Sequence, residues 1–140
     1  MITHLARVTI LVRNQDEALR FYTEKLGFEK RADMPMGATR WLTVAPTGQR
    51  ELEIVLQQPD PAFHGEEGAQ KMLERIGQNT TWVLATNDCQ GDYERLSAQG
   101  VRFASPPQRQ MYGTEAVLLD LYGNQFSLLQ TANMTETQAE

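Results

Sequence analysis

Two copies of one pattern lie head to tail in this chain, and that repetition restricts its fold more than any other feature. Val8, Ile10 and Val12 alternate with Arg7, Thr9 and Leu11, which is strand periodicity with one aliphatic and one mixed face. Helix signals follow: Asn14 stands where it caps a first turn, Glu17 completes a capping box, and Gly27 stops the helix in the left-handed conformation. Ala18, Leu19, Tyr22 and Leu26, with Phe21 beside them, form an apolar stripe to cover the strand. The plan recurs 74 residues later: residues 81–86 are a second apolar run, Asn87 and Asp88 offer a cap, Tyr93 and Leu96 make a helix face, and Gly100 closes it. At that offset Arg7 falls on Thr81, Asn14 on Asp88, Tyr22 on Leu96 and Glu53 on Ser127. A duplication of this kind sets the architecture.

After the first helix, residues 28–34 read as extended, Pro35 and Gly37 turn the chain, and residues 40–45 and 51–57 are two further strands. Module one is therefore βαβββ over residues 5–58. A Pro/Gly-rich connection, residues 59–68, leads into a linker helix over 68–77. Module two, residues 79–130, repeats the plan with strands at 101–105 and 108–112, interrupted by Pro106-Pro107, and at 116–120 and 125–130. Residues 131–140 form a polar tail without periodicity, read as flexible. The whole is expected to be one α+β domain over residues 1–130.

With 140 residues, 41% of them apolar and 22% charged, the composition is that of an ordinary soluble protein. A net charge of -5 argues against nucleic acid or anionic membranes as partners, since phosphate binding needs a basic surface. No apolar run approaches the roughly 20 residues that span a bilayer, and the single Cys89 has no partner for an internal disulfide. These absences place the chain in the cytoplasm.

On the first and last strands of each module one parity class is nearly all apolar, and the opposite class carries Arg7, Glu53, Thr81 and Ser127. Four polar side chains thus point away from the helices, toward whatever the sheets enclose. A partly polar concave face is a setting for small ligands.

The stretch DEALRFYTEKLGF, the later GVRFASPP, the YGTEAVLLDLYGN turn and the duplicated βαβββ plan resemble the glyoxalase, bleomycin-resistance protein and extradiol dioxygenase superfamily, the vicinal oxygen chelate proteins. The resemblance implies two βαβββ modules forming a cup-shaped, partly open barrel with helices on its outer face, and it implies a homodimer. In the metal-dependent members the first and last strands supply His or Glu ligands to a divalent ion. Matched residue by residue, those positions here are Arg7, Glu53, Thr81 and Ser127, of which only Glu53 is a ligand of the usual kind. No family-type metal site and no cofactor are therefore expected. Where many relatives carry Asp-Pro before Gly-Asn, this chain has Asp120-Leu121-Tyr122-Gly123-Asn124.

Arg7 and Glu53 admit two readings: an ion pair that fills the vacated metal position, or a site in which Arg7 binds an anionic or carbonyl group and Glu53 orients it or acts as a base. His4 reads as a surface residue and His64 as a loop histidine in a connection that would lie over the cup mouth. Trp41 is either cup wall or core. Tyr112 falls at the expected cup rim, as a ligand contact or as ordinary packing. Cys89 starts the second helix without a neighbouring His or Cys, so a catalytic thiol is not expected. The resulting expectation is a metal-independent small-molecule-binding protein with Arg7, Glu53, Thr81, Ser127, Trp41 and Tyr112 as ligand-binding residues. The alternative is a lyase, isomerase or dioxygenase-like enzyme with a rebuilt metal site.

Overall fold

The structure, a computed structural model, describes residues 1–79 and 81–132. The chain divides into two compact units, residues 1–79 and 80–140. Each described unit is βαβββ, so the fold is α+β and the duplication is real.

Unit one begins with β1 (Arg7–Leu11) and α1 (Gln15–Arg20). As the sequence predicts, the Asn14 side chain accepts the Glu17 N–H, at 2.9 Å. The last turn widens into a π-helical segment, Phe21–Lys25, and Gly27, at φ 76°, releases the chain into β2 (Phe28–Met36). Then come β3 (Thr39–Pro46) and β4 (Glu53–Gln57), in the sheet order β1-β4-β3-β2. β1 and β4 run parallel, Arg7 opposite Glu53 and Leu11 opposite Gln57; β4 is antiparallel to β3, and β3 to β2. Alternation does what the sequence demands: Ile10, Leu42, Val44 and Leu56 are fully buried together with Ala18 and Tyr22 of the helix. Tyr22 packs against Phe21 and Phe28, ring centroids 5.3 and 5.8 Å apart.

The connection differs from expectation. Residues 59–68 are not all loop: Asp60 caps a short helix, α2 (Pro61–His64), through a 3.0 Å bond from the Ala62 N–H. Gly65, at φ 79°, then separates it from α3 (Glu66–Arg75), which starts earlier than the predicted linker helix.

Unit two contains β5 (Trp82–Ala85), α4 (Cys89–Ala98), β6 (Arg102–Gln110), β7 (Gly113–Leu119) and β8 (Gln125–Thr131), in the order β5-β8-β7-β6. Leu118 and Phe126 are fully buried, Leu96, Val101 and Leu128 nearly so, and Tyr93 meets Phe103 edge to face at 4.7 Å. Pro106-Pro107 does not break the strand in two. β6 is the outermost strand, so the missing N–H groups cost no ladder bond, and the register slips between Ser105 and Gln108 to bulge the prolines out. Thr131, read as tail, belongs to β8; residues 133–140 lie outside those described.

The two units are not in constant register. The Gln15 N–H donates to Gln58 Oε1 at 3.0 Å, and the equivalent Cys89 N–H donates to Gln130 Oε1 at 2.9 Å. The helix starts are thus 74 residues apart but the glutamines only 72. Six residues separate Pro46 from Glu53, whereas only four separate Asp120 from Gln125, and the shorter turn absorbs the difference. Glu53 therefore corresponds to Gln125, which accepts from Thr81 Oγ1 at 3.3 Å, and Ser127 corresponds to Val55. The constant offset that set Glu53 on Ser127 is corrected by this slip.

Candidate functional site

Unit one holds a cavity of about 370 Å³ on the sheet face opposite α1. That volume lies within the range of about 300–1,000 Å³ usual for small-molecule sites. Its floor follows from strand register: Thr9, opposite Val55, forms one row, and Arg7 lies two residues before Thr9 on the same face. Trp41 and Thr39 of β3 and Met36 of β2 continue the wall. Gln57, Gln58, Phe63 and His64 close it from the far side, on the segment that runs from the end of β4 through α2. Met36, Trp41, Val55 and Phe63 supply its apolar surface, and the other lining residues carry polar groups.

Arg7 is the predicted site residue for which the geometry says most. Its guanidinium lies 5.6 Å from the Trp41 ring centroid, within reach of a cation–π contact. Its Nε is 3.8 Å from Glu53 Oε1, and the two side chains are 49% and 25% exposed. A strong charge-assisted bond would be close to 2.8 Å, so this ion pair holds Arg7 loosely. Glu53 sits beside the cavity but does not line it. Trp41, left open between wall and core, is wall.

The second arginine of the lining, Arg40, is held quite differently. Its Nε and Nη2 take both oxygens of Asp33, at 3.0 and 2.9 Å, and its Nη1 donates to Asp16. Those bonds raise the Arg40 pKa above its ordinary value and hold the Asp33 carboxyl below the usual carboxylate range. Arg40 is therefore held by two carboxylates, while Arg7 has one long contact to Glu53.

Gln15 organises this end of the cavity and escaped the sequence reading. Its Nε2 donates to the carbonyls of Arg40 and Leu56, both at 2.9 Å, and its Oε1 accepts from Thr39 Oγ1 at 3.1 Å. A glutamine just inside a helix N-terminus gives no sequence signal of that kind. On the same side, beside Gln58, His64 Nε2 lies 3.0 Å from Gln57 Nε2. If the amide donates there, the ring proton is on Nδ1, where the Asp60 carbonyl lies at 3.2 Å. The opposite tautomer takes the Asp60 N–H, 3.1 Å away, and needs the amide turned over. His64 thus belongs to the cavity, whereas His4 is exposed and its Nδ1 is 3.0 Å from Thr3 Oγ1.

The remaining predicted residues lie in unit two. Tyr112 donates to Glu115 Oε1 at 2.5 Å, and the buried Ser127 hydroxyl donates to the same carboxylate. The Ser127 bond first, then the Tyr112 bond, pull the Glu115 carboxyl below its ordinary range. The partner of Tyr112 and Ser127 is thus Glu115, a residue the sequence did not single out. Thr81 bonds to Gln125 instead.

The donor set does not fit a divalent ion of the family type. Arg7 cannot lose its proton to coordinate, which leaves Glu53 alone in unit one, with a hydroxyl and an amide at the corresponding positions of unit two. Among the described residues no three His, Cys, Asp or Glu side chains come together in a group able to hold a metal.

Two βαβββ units with a ligand-sized hollow on the open sheet face define a glyoxalase-type fold. The chain belongs to the glyoxalase/bleomycin resistance protein/dioxygenase superfamily, whose model matches residues 3–128. It is 39% identical over 123 residues to the uncharacterized protein YurT of Bacillus subtilis (strain 168), covering 87% of this chain and 94% of that one. Among solved structures, UcmS2 is 44% identical with a TM-score of 0.83, covering 92% of this chain and 98% of UcmS2. TnmS3, an antibiotic binding protein from Streptomyces sp. CB03234, is 30% identical with a TM-score of 0.77, covering 94% and 98% respectively. No helix among the described residues is long and apolar enough to cross a membrane.

Proposed function

We propose that this chain is a small-molecule-binding protein that sequesters an organic ligand in the unit-one cavity, without a metal ion and without changing the ligand. The observation that carries this reading is the cavity itself: a ligand-sized hollow with the Trp41 ring in its wall and Arg7 available beside it. The donor set supports the metal-free form, since a guanidinium stands where a ligating side chain would be needed. The antibiotic-binding role printed for TnmS3 supports a ligand of similar kind. In this reading Arg7 and Trp41 touch the ligand, and Glu53 holds Arg7 from beside the cavity until the ligand arrives. Two chains pair, as the family resemblance implies.

The test is calorimetric titration of the purified protein with a panel of aromatic antibiotics, with mass analysis of the recovered compound and of the protein's metal content. Stoichiometric binding that Trp41→Ala weakens at least tenfold, with the compound recovered unchanged, is expected. Turnover of the compound, or stoichiometric Fe, Mn, Zn or Ni, overturns the reading.

A further inference from the structure

Among the polar groups of the cavity, Arg7 and the Gln57–His64 pair stand at different levels of the sheet, and the strand register measures the separation. Arg7 is opposite Glu53 and Leu11 is opposite Gln57 in the same parallel ladder, so four residue steps lie between the two levels. At about 3.3 Å per residue the separation is roughly 13 Å. Between them the lining carries Val55 with the Thr9 hydroxyl opposite it, and the Trp41 ring runs alongside.

The two ends differ in chemistry. At the Arg7 end a guanidinium is tethered to one carboxylate oxygen at 3.8 Å, so an incoming anion can replace Glu53 at small cost. At the other end Gln57 and His64 are an amide and an imidazole side by side, and the Asp60 backbone supplies either an acceptor or a donor to the ring. That end can therefore present a donor or an acceptor by exchanging tautomer and amide orientation. Arg40 adds no second anion site, because Asp33 and Asp16 already occupy it.

We propose that the ligand class is an elongated aromatic acid, its anionic group at Arg7 and a hydroxyl or carbonyl at the Gln57–His64 pair, spanning about 13 Å between the two levels. This rests on the cavity being the binding site and specifies what fills it.

The experiment titrates the wild-type protein with three probes of one shape: 4'-hydroxybiphenyl-4-carboxylate, its neutral 4-carboxamide, and biphenyl-4-carboxylate, which lacks the distal hydroxyl. The hydroxy-carboxylate is expected to bind at least tenfold tighter than the carboxamide and severalfold tighter than the unsubstituted acid. Arg7→Gln should bring the first ratio to about one and leave the second; Gln57→Leu should do the reverse. Equal affinity for all three probes, or ratios that neither substitution moves, overturns the inference and leaves the cavity reading standing. If none of the probes binds while members of the antibiotic panel do, the two-ended class is likewise overturned. If neither set binds, both readings fall.

Discussion

The backbone N–H of Gln15 donates to Gln58 Oε1 at 3.0 Å, and that contact ties the first turn of α1 to the residue after β4. The Gln15 side chain then reaches across to β3 and β4, so one glutamine joins three elements of unit one. Gln15→Leu keeps the volume and removes these side-chain bonds, including those to the Arg40 and Leu56 carbonyls. Unfolding in urea should show a loss of about 2–4 kcal/mol, as befits the loss of these bonds. A change in midpoint no larger than that of an exposed substitution such as Gln90→Leu would show that water replaces the amide.

Gly113 opens β7 at φ 144°, and a Cβ built there would lie 2.1 Å from the carbonyl oxygen of Gln130. The obstacle is backbone of the paired strand β8, which cannot step aside as a side-chain tip can. Gly113→Ala is therefore expected to cost about 2–4 kcal/mol and to lower the thermal midpoint by roughly 10 °C. Gly27→Ala, also at positive φ but with nothing within 4 Å, should cost less. The order of the two melting points checks the argument.

Acid stability should depend on Ser127. Glu115 is held below its ordinary range by the Ser127 and Tyr112 hydroxyls, so folding favours its charged form. The stabilisation is fully present above the unfolded carboxyl's value and is lost as pH falls through the depressed folded value. Ser127→Ala should flatten the loss of stability between about pH 5 and pH 3 and move the Glu115 carboxyl back up. Asp33, lowered first by its Arg40 bonds, contributes in the same window and is untouched by the change, so the difference between the two curves isolates Glu115. Identical slopes for wild type and variant would refute the assignment.

Cys89 is fully buried, and its Sγ lies 3.5 Å from the Leu128 carbonyl. Burial first, and the Asp92 charge next, push its pKa up, against whatever the helix N-terminus does to lower it. The native thiol should therefore ignore a disulfide reagent such as dithionitrobenzoate and react fully in urea. Rapid labelling of the folded protein would mean that the start of α4 opens readily.

The sequence by itself determined the plan: two strand–helix units, their helix caps and stops, and the apolar parity that fills each core. These are local or periodic properties, carried by alternation at residues such as Val8, Ile10 and Val12 and by chain stops such as Gly27. The family resemblance added the expectation that Arg7 stands at a metal-ligand position. Tertiary structure decided the rest. The two-residue slip that matches Glu53 to Gln125 arises in a turn whose length matters only once strands pair. Pro106 and Pro107 stay in β6 because that strand is an edge, a fact of sheet order that composition does not carry. Whether Arg7 is locked or available follows from a 3.8 Å separation, and Gln15, Gln57 and His64 become a site only where distant segments meet. Chemistry at a site is set by distances across the sheet, and those are fixed by pairing partners that sequence proximity does not name.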